Sequence, residues 1–251
     1  MCCFSRPVKS VSNTLIFARP TTKGRQVVVY SMRLDAAEAL AMVLPIPVTA
    51  GTPEDGVKFI NLEKYPRFFA DLVRGFPSLP PPRSLALAGR SAKSKSLAVV
   101  QVGSFEASFV PTAKDFPRLD ERFQLPPKTL AKLKGYTQHG FAVFKLKAGT
   151  QTVHPMAFDF PTALTDKLFF PTVHIHDGEV HEKAEFDHEL YCQPTGERRL
   201  QLLDWEESHG NAGQFMDLKL AQDVVLRDEH CYRRKLHGEL PNTDTLLAHQ
   251  T

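Results

Sequence analysis

Cysteine is scarce in this 251-residue chain, with four residues at positions 2, 3, 192 and 231. Spacing so sparse and irregular does not make a disulfide framework, and it points to a reduced, cytoplasmic protein. No apolar run approaches the roughly 20 residues that a membrane-crossing helix needs. The opening MCCFSRPVKSVS lacks the continuous apolar stretch of a secretory signal. Basic blocks are missing too, since the net charge of +3 is spread along the chain. Dedicated binders of nucleic acid or membrane surfaces need clustered Lys and Arg, so neither partner is expected. There is no Walker loop, Gly-x-Gly-x-x-Gly fingerprint, Gly-x-Ser-x-Gly elbow or His-Glu-x-x-His helix. Nucleotide, dinucleotide, serine-hydrolase and zincin chemistry therefore lose their usual support.

What is present is a series of short runs rich in Val, Ile and Phe, bounded by Gly, Pro, Asn or Asp. TLIFA (14–18), QVVVYSM (26–32), LAMVLPIPV (40–48), SLAVVQVG (96–103), FEASFV (105–110), GFAVFKLK (140–147), VHPMAFDF (153–160), FFPTVHIH (169–176) and EFDHELYC (185–192) all read as strands. One helix is clear. In EKYPRFFADLVRGF the residues Tyr65, Phe68, Phe69, Leu72, Val73 and Phe76 form a continuous apolar stripe, ended by Gly75 and Pro77. Shorter helices are expected around PPKTLAKL and within 213–226. These elements predict an α+β fold with mainly antiparallel sheets and few helices. They fit a single domain over 1–240, with possible half-domains 1–76 and 97–240 joined by a Pro/Ser/Lys-rich loop at 77–96. Residues 241–251 read as a flexible tail.

The densest chemistry lies in FFPTVHIHDGEVHEKAEFDHELYC, residues 169–192, which holds four of the ten histidines. Asp177-Gly178 reads as a two-residue hairpin turn. That turn places His176 opposite Glu179 and His174 opposite His181, all on one face. Three imidazoles so arranged can converge on one transition-metal ion, zinc, copper or iron, with His188 or Glu179 as a further ligand or base. Cys192, an even number of residues from His188, shares its face and can help orient the site. The same residues also fit a solvated hairpin tip or a metal-free acid/base pair, and a one-residue slip in register scatters the set.

A second constellation is the start, MCCF. Removal of Met1 would give Cys2 both a thiol nucleophile and an α-amine to act as its base. With TLIFARP following, and Arg19 at the end of a strand, this opening resembles N-terminal-nucleophile amide hydrolases of the bile-salt-hydrolase and penicillin-acylase kind. The resemblance implies catalytic roles for Cys2 and Arg19 and covers about twenty residues. Thr21 and Thr22 stand where those enzymes carry an aspartate. A longer resemblance joins CCFSRPV, LIFA, VVVYSM, LAMVLPIPV and VKFINLEKYPRFFADL. It is to the first third of an uncharacterised bacterial family with a Cys-x-Cys-Phe-like start and an Ala-Trp-Leu-Leu-Pro-Leu-Pro-like strand. It implies unity of the N-terminal part and no particular chemistry. Three functions follow: a metal-binding protein, hydrolase or oxidoreductase, using His174, His176, His181, His188 and Glu179; a Cys2 amide hydrolase; and a non-catalytic interaction protein. Either enzyme would take a small-molecule substrate, and the oligomeric state is left open.

Overall fold

Runs of β-branched and aromatic residues need two apolar surfaces to bury both of their faces, and the fold supplies them as two stacked sheets. The computed structural model describes residues 2–22, 24–76, 100–102, 105–119, 134–176, 179–194 and 201–249. In chain order the first strands are β1 (Cys2–Phe4), β2 (Ser10–Pro20), β3 (Arg25–Ala36), β4 (Leu40–Ile46) and β5 (Lys58–Asn61). Helix α1 (Phe68–Arg74) precedes β6 (Val100–Val102), β7 (Phe105–Val110), β8 (Gly140–Leu146), β9 (Gly149–Thr152) and β10 (Met156–Pro161). After these come β11 (Lys167–Phe170), β12 (His174–Ile175), β13 (Lys183–Cys192) and β14 (Glu206–Asn211). Helix α2 (Leu218–Ala221), β15 (His230–Pro241) and β16 (Thr245–Ala248) complete the order.

One large sheet runs β12-β1-β4-β8-β7-β6, and the other runs β14-β15-β13-β2-β3-β10-β5 with β9 also on β3. Strands dominate and helices are few, as expected. Most pairs are antiparallel, but β1 with β12 and β13 with β2 run parallel, so both sheets are mixed. Strands from before residue 76 and after residue 97 interleave in both large sheets, while β11 and β16 form a separate two-stranded sheet.

Alternation along β3 shows how the sheets stack. Val28, Tyr30, Met32 and Leu34 enter the core between the sheets with Met42, Leu44, Phe144 and Phe158. Val27 and Val29 point the other way, into a second cluster under α1. The predicted stripe of Tyr65, Phe68, Phe69, Leu72, Val73 and Phe76 faces that second cluster. Helical hydrogen bonding covers only Phe68–Arg74, a shorter helix than the stripe predicts. The outer face of the first sheet buries Cys3, Val43, Phe141 and Ile175. No described helix is long and apolar enough to cross a membrane.

Three expectations come out differently or lie elsewhere. Residues expected in a flexible tail form β16, which pairs with β11 from Lys167↔Ala248 to Phe170↔Thr245. Within 213–226 the helix is a single turn, Leu218–Ala221, capped by the Asp217 side chain on the Leu220 amide. The loop at 77–96 and the helix at PPKTLAKL fall outside the described residues.

Candidate functional site

Among the described residues, 174–176 and 179–181 do not pair as the predicted histidine hairpin requires. Asp177 and Gly178 lie outside the described residues, but the strands flanking them are not hydrogen-bonded neighbours. β12 pairs in parallel with the N-terminal strand, Cys2↔His174 and Cys3↔Ile175. β13 pairs with β15 along its whole length and with β2 only at Glu189–Cys192. The backbone of His174 is instead engaged by the Asn242 side chain, which also reaches the His181 carbonyl, and these contacts stand where the hairpin ladder between His174 and His181 was expected.

A different histidine cluster forms instead. His174 and His188 stack with ring centres 4.5 Å apart and an interplanar angle of 18°. His176 lies 5.0 Å from His174, tilted by 54°. Phe4 contacts His176, and Phe186 packs edge-on to both His174 and His188. The even spacings 174/176 and 186/188 give each strand one face to present, and these faces meet. His181 and Glu179 are exposed.

Both stacked rings are held neutral. His188, 1% exposed, has its pKa lowered to about 2, first by burial and then by His174. His174, 8% exposed, is lowered to about 3 by burial and then by His176. Neutral imidazole offers one N–H and one lone pair, and inside a protein both normally find partners. Here His188 Nδ1, His188 Nε2 and His174 Nε2 have none. Among the described residues, no group of three or more His, Cys, Asp or Glu is already arranged to hold a metal ion. The stacked orientation accounts for this, because ring lone pairs lie in the ring plane and two parallel, overlaid rings do not aim them at one point.

The His174 backbone is fixed by Asn242. Its N–H donates to Asn242 Oδ1 at 2.8 Å, and its carbonyl accepts from Asn242 Nδ2 at 2.9 Å. Next along the chain, the Val173 amide donates to Asp244 Oδ1 at 3.2 Å, and Thr172 Oγ1 donates to the Thr243 carbonyl at 2.9 Å. No local pattern in PNTDT points to contacts with a strand about seventy residues earlier.

The remaining candidates are placed as follows. Register sets Cys2 beside His174. Arg19, 6% exposed, donates from Nε to the Val224 carbonyl at 2.6 Å and from Nη1 to the Pro20 carbonyl at 2.9 Å. Its Nη2 donates to the Asp223 carbonyl. All three guanidinium nitrogens are thus spent on backbone carbonyls, one at the end of β2 and two in the turn after α2. Cys3, Cys192 and Cys231 are buried. Burial pushes the Cys231 thiol up to about 12 and the Cys192 thiol well above its ordinary value. Cys192 sits in the core between the sheets, while Cys231 sits in the cluster under α1. Away from these candidates, Glu106 is paired with Lys145 at 3.2 Å, and Asp115 caps a short helical turn at Thr112. His154 stacks on Phe105 with centres 4.3 Å apart.

No known family profile matches the chain. Among solved structures, it is similar to baculovirus P35, with a TM-score of 0.50 at 14% identity, covering 96% of this chain and 97% of that one. The P35 chain in a caspase-8/P35 complex aligns with a TM-score of 0.48 at 14% identity, over 95% of this chain and 96% of that one. At such identity the first likeness speaks to the fold alone, and the second adds nothing to it.

Proposed function

We propose that this chain binds one transition-metal ion through the imidazoles of His174, His176 and His188. The observation that carries the proposal is the set of three unpartnered ring nitrogens on two buried, neutral histidines. A buried polar group without a partner costs about 1–3 kcal/mol, and an ion that takes its lone pair relieves that cost. The ring spacing supports this. With nitrogen roughly 2.0–2.1 Å from the ion, neighbouring ligands place their ring centres roughly 4.5–5.2 Å apart. The observed separations are 4.5 and 5.0 Å. Their 18° stacking does not suit ligation, so one ring of the pair has to turn about its Cβ–Cγ bond for the donors to converge. Neutral nitrogen donors suit zinc, copper or iron better than magnesium or calcium. A bound ion would supply Lewis-acid polarisation of a carbonyl or of water.

Purified without a polyhistidine tag, wild type is expected to hold close to one equivalent of metal by elemental analysis. The His174→Ala/His176→Ala double variant is expected to hold almost none, and His181→Ala as much as wild type. Equal, sub-stoichiometric metal in wild type and the double variant rejects the proposal.

A second reading, a non-catalytic interaction protein, is favoured by an open strand edge. Among the described residues β14 pairs with β15 only at His230, Tyr232 and Arg233, so Arg234–Pro241 keep one edge free of any strand. Such an edge can accept an extended peptide as an added strand. This reading predicts neither tightly bound metal nor labelling by a cysteine-directed acyl probe. Labelling lost in Cys2→Ala would mark a Cys2 amide hydrolase instead.

A further inference from the structure

Asn242 makes an unusual set of contacts for one side chain. Its carboxamide presents a donor and an acceptor side by side, as a peptide group does. With them it occupies the edge of β12 that no strand covers among the described residues, exchanging two hydrogen bonds with the His174 backbone at 2.8 and 2.9 Å. The same Nδ2 reaches the His181 carbonyl at 3.1 Å, and the Asn242 amide donates to the Glu182 carbonyl at 2.8 Å. One buried residue therefore grips both ends of the segment 174–182. β12 has two residues, and among the described residues β1 is its one strand partner, which gives the Asn242 contacts a large part in setting this backbone.

We infer that Asn242 is a positioning residue: by fixing the His174 backbone from the side opposite β1, it sets the His174 ring against His188 and determines the site's affinity for its ion. This rests on the metal-binding proposal for the consequence, and on the coordinates alone for the positioning. Removing the carboxamide frees His174 N–H and two carbonyls at once, and the backbone can then turn to find other partners. Groups that orient a ligand in this way typically control affinity by about 10–100-fold.

The test compares wild type with Asn242→Ala and Asn242→Asp. Asn242→Asp keeps an acceptor for the His174 amide but cannot donate to either carbonyl. In metal-free protein, the ring proton and nitrogen resonances of His174 and His188 report their mutual stacking. These resonances are expected to move toward unstacked values in Asn242→Ala and part of the way in Asn242→Asp. Zinc affinity, measured by competition with a chromophoric chelator, is expected to fall at least tenfold in Asn242→Ala. A purely structural role would lower thermal stability and leave both the ring resonances and zinc affinity of the folded protein unchanged, and that result overturns the inference. If Asn242→Ala does not fold, unchanged ring resonances in Asn242→Asp overturn it equally. Ring resonances that move while wild type itself binds no zinc uphold the positioning and remove the metal-binding proposal.

Discussion

Between pH 7.5 and pH 5 the metal-free protein is expected to lose about 4 kcal/mol of folding stability through two histidines alone. In the unfolded chain His174 and His188 take up protons near the ordinary value of 6.5. In the folded protein they stay neutral, because burial holds them at about 3 and about 2. Between those limits the unfolded state binds more protons, so stability is fully present above pH 6.5 and falls as the solution is acidified. At pH 5 each ring contributes a loss of about 2 kcal/mol, at about 1.36 kcal/mol per pH unit below 6.5. A domain stable by about 5–15 kcal/mol should show this plainly in urea midpoints taken with a chelator present. His188→Leu should remove about half of the acid sensitivity. It should also raise stability at pH 7.5, since it deletes two unpartnered nitrogens without opening a large void. A flat profile from pH 7.5 to 5 in wild type would mean that these rings are hydrated, and the buried cluster would have to be abandoned.

Arg19→Met is expected to cost about 3 kcal/mol or more in the same assay. The guanidinium is buried and ties the Pro20, Asp223 and Val224 carbonyls together, joining β2 to the turn that follows α2. Methionine fills much of the volume but leaves three carbonyls without a donor, and hydrogen bonds from a charged group are each worth about 1.5–3 kcal/mol. Arg19→Lys keeps the charge and can serve at most part of this fan of acceptors, so it should fall between methionine and wild type. A catalytic Arg19 predicts the opposite pattern: Arg19→Met with wild-type stability and lost amide hydrolysis.

Much of the framework was legible because its signals are local. Val27 to Met32 is buried on both faces, and β3 lies inside its sheet between β2 and β10. The α1 stripe is read correctly because helical periodicity needs no knowledge of the partner. The site was legible only in part. Even spacing correctly placed His174 with His176, and it set His188 on a single face of its own strand. The partner of β12 could not be read: it is the N-terminal strand, joined in parallel about 170 residues away with no turn between them. The Asp-Gly pair gave a strong hairpin signal, but it competed with two long-range contacts of this segment, the pairing of β12 with β1 and the grip of Asn242 on His174 and His181. Asn242 was invisible for the same reason, since a single polar residue after a strand reads as a turn. Arg19 was noticed through a resemblance, and its burial against carbonyls of the 223–224 turn is a tertiary fact.

The most direct test is a zinc titration of the untagged, metal-free protein, followed by long-range proton–nitrogen correlation of the imidazoles. The ring nitrogens of His174, His176 and His188 should shift together and saturate at one equivalent, while those of His181 stay in place. If His181 shifts in step with them, or if the three rings remain unmoved as zinc is added, the buried cluster is not a metal site.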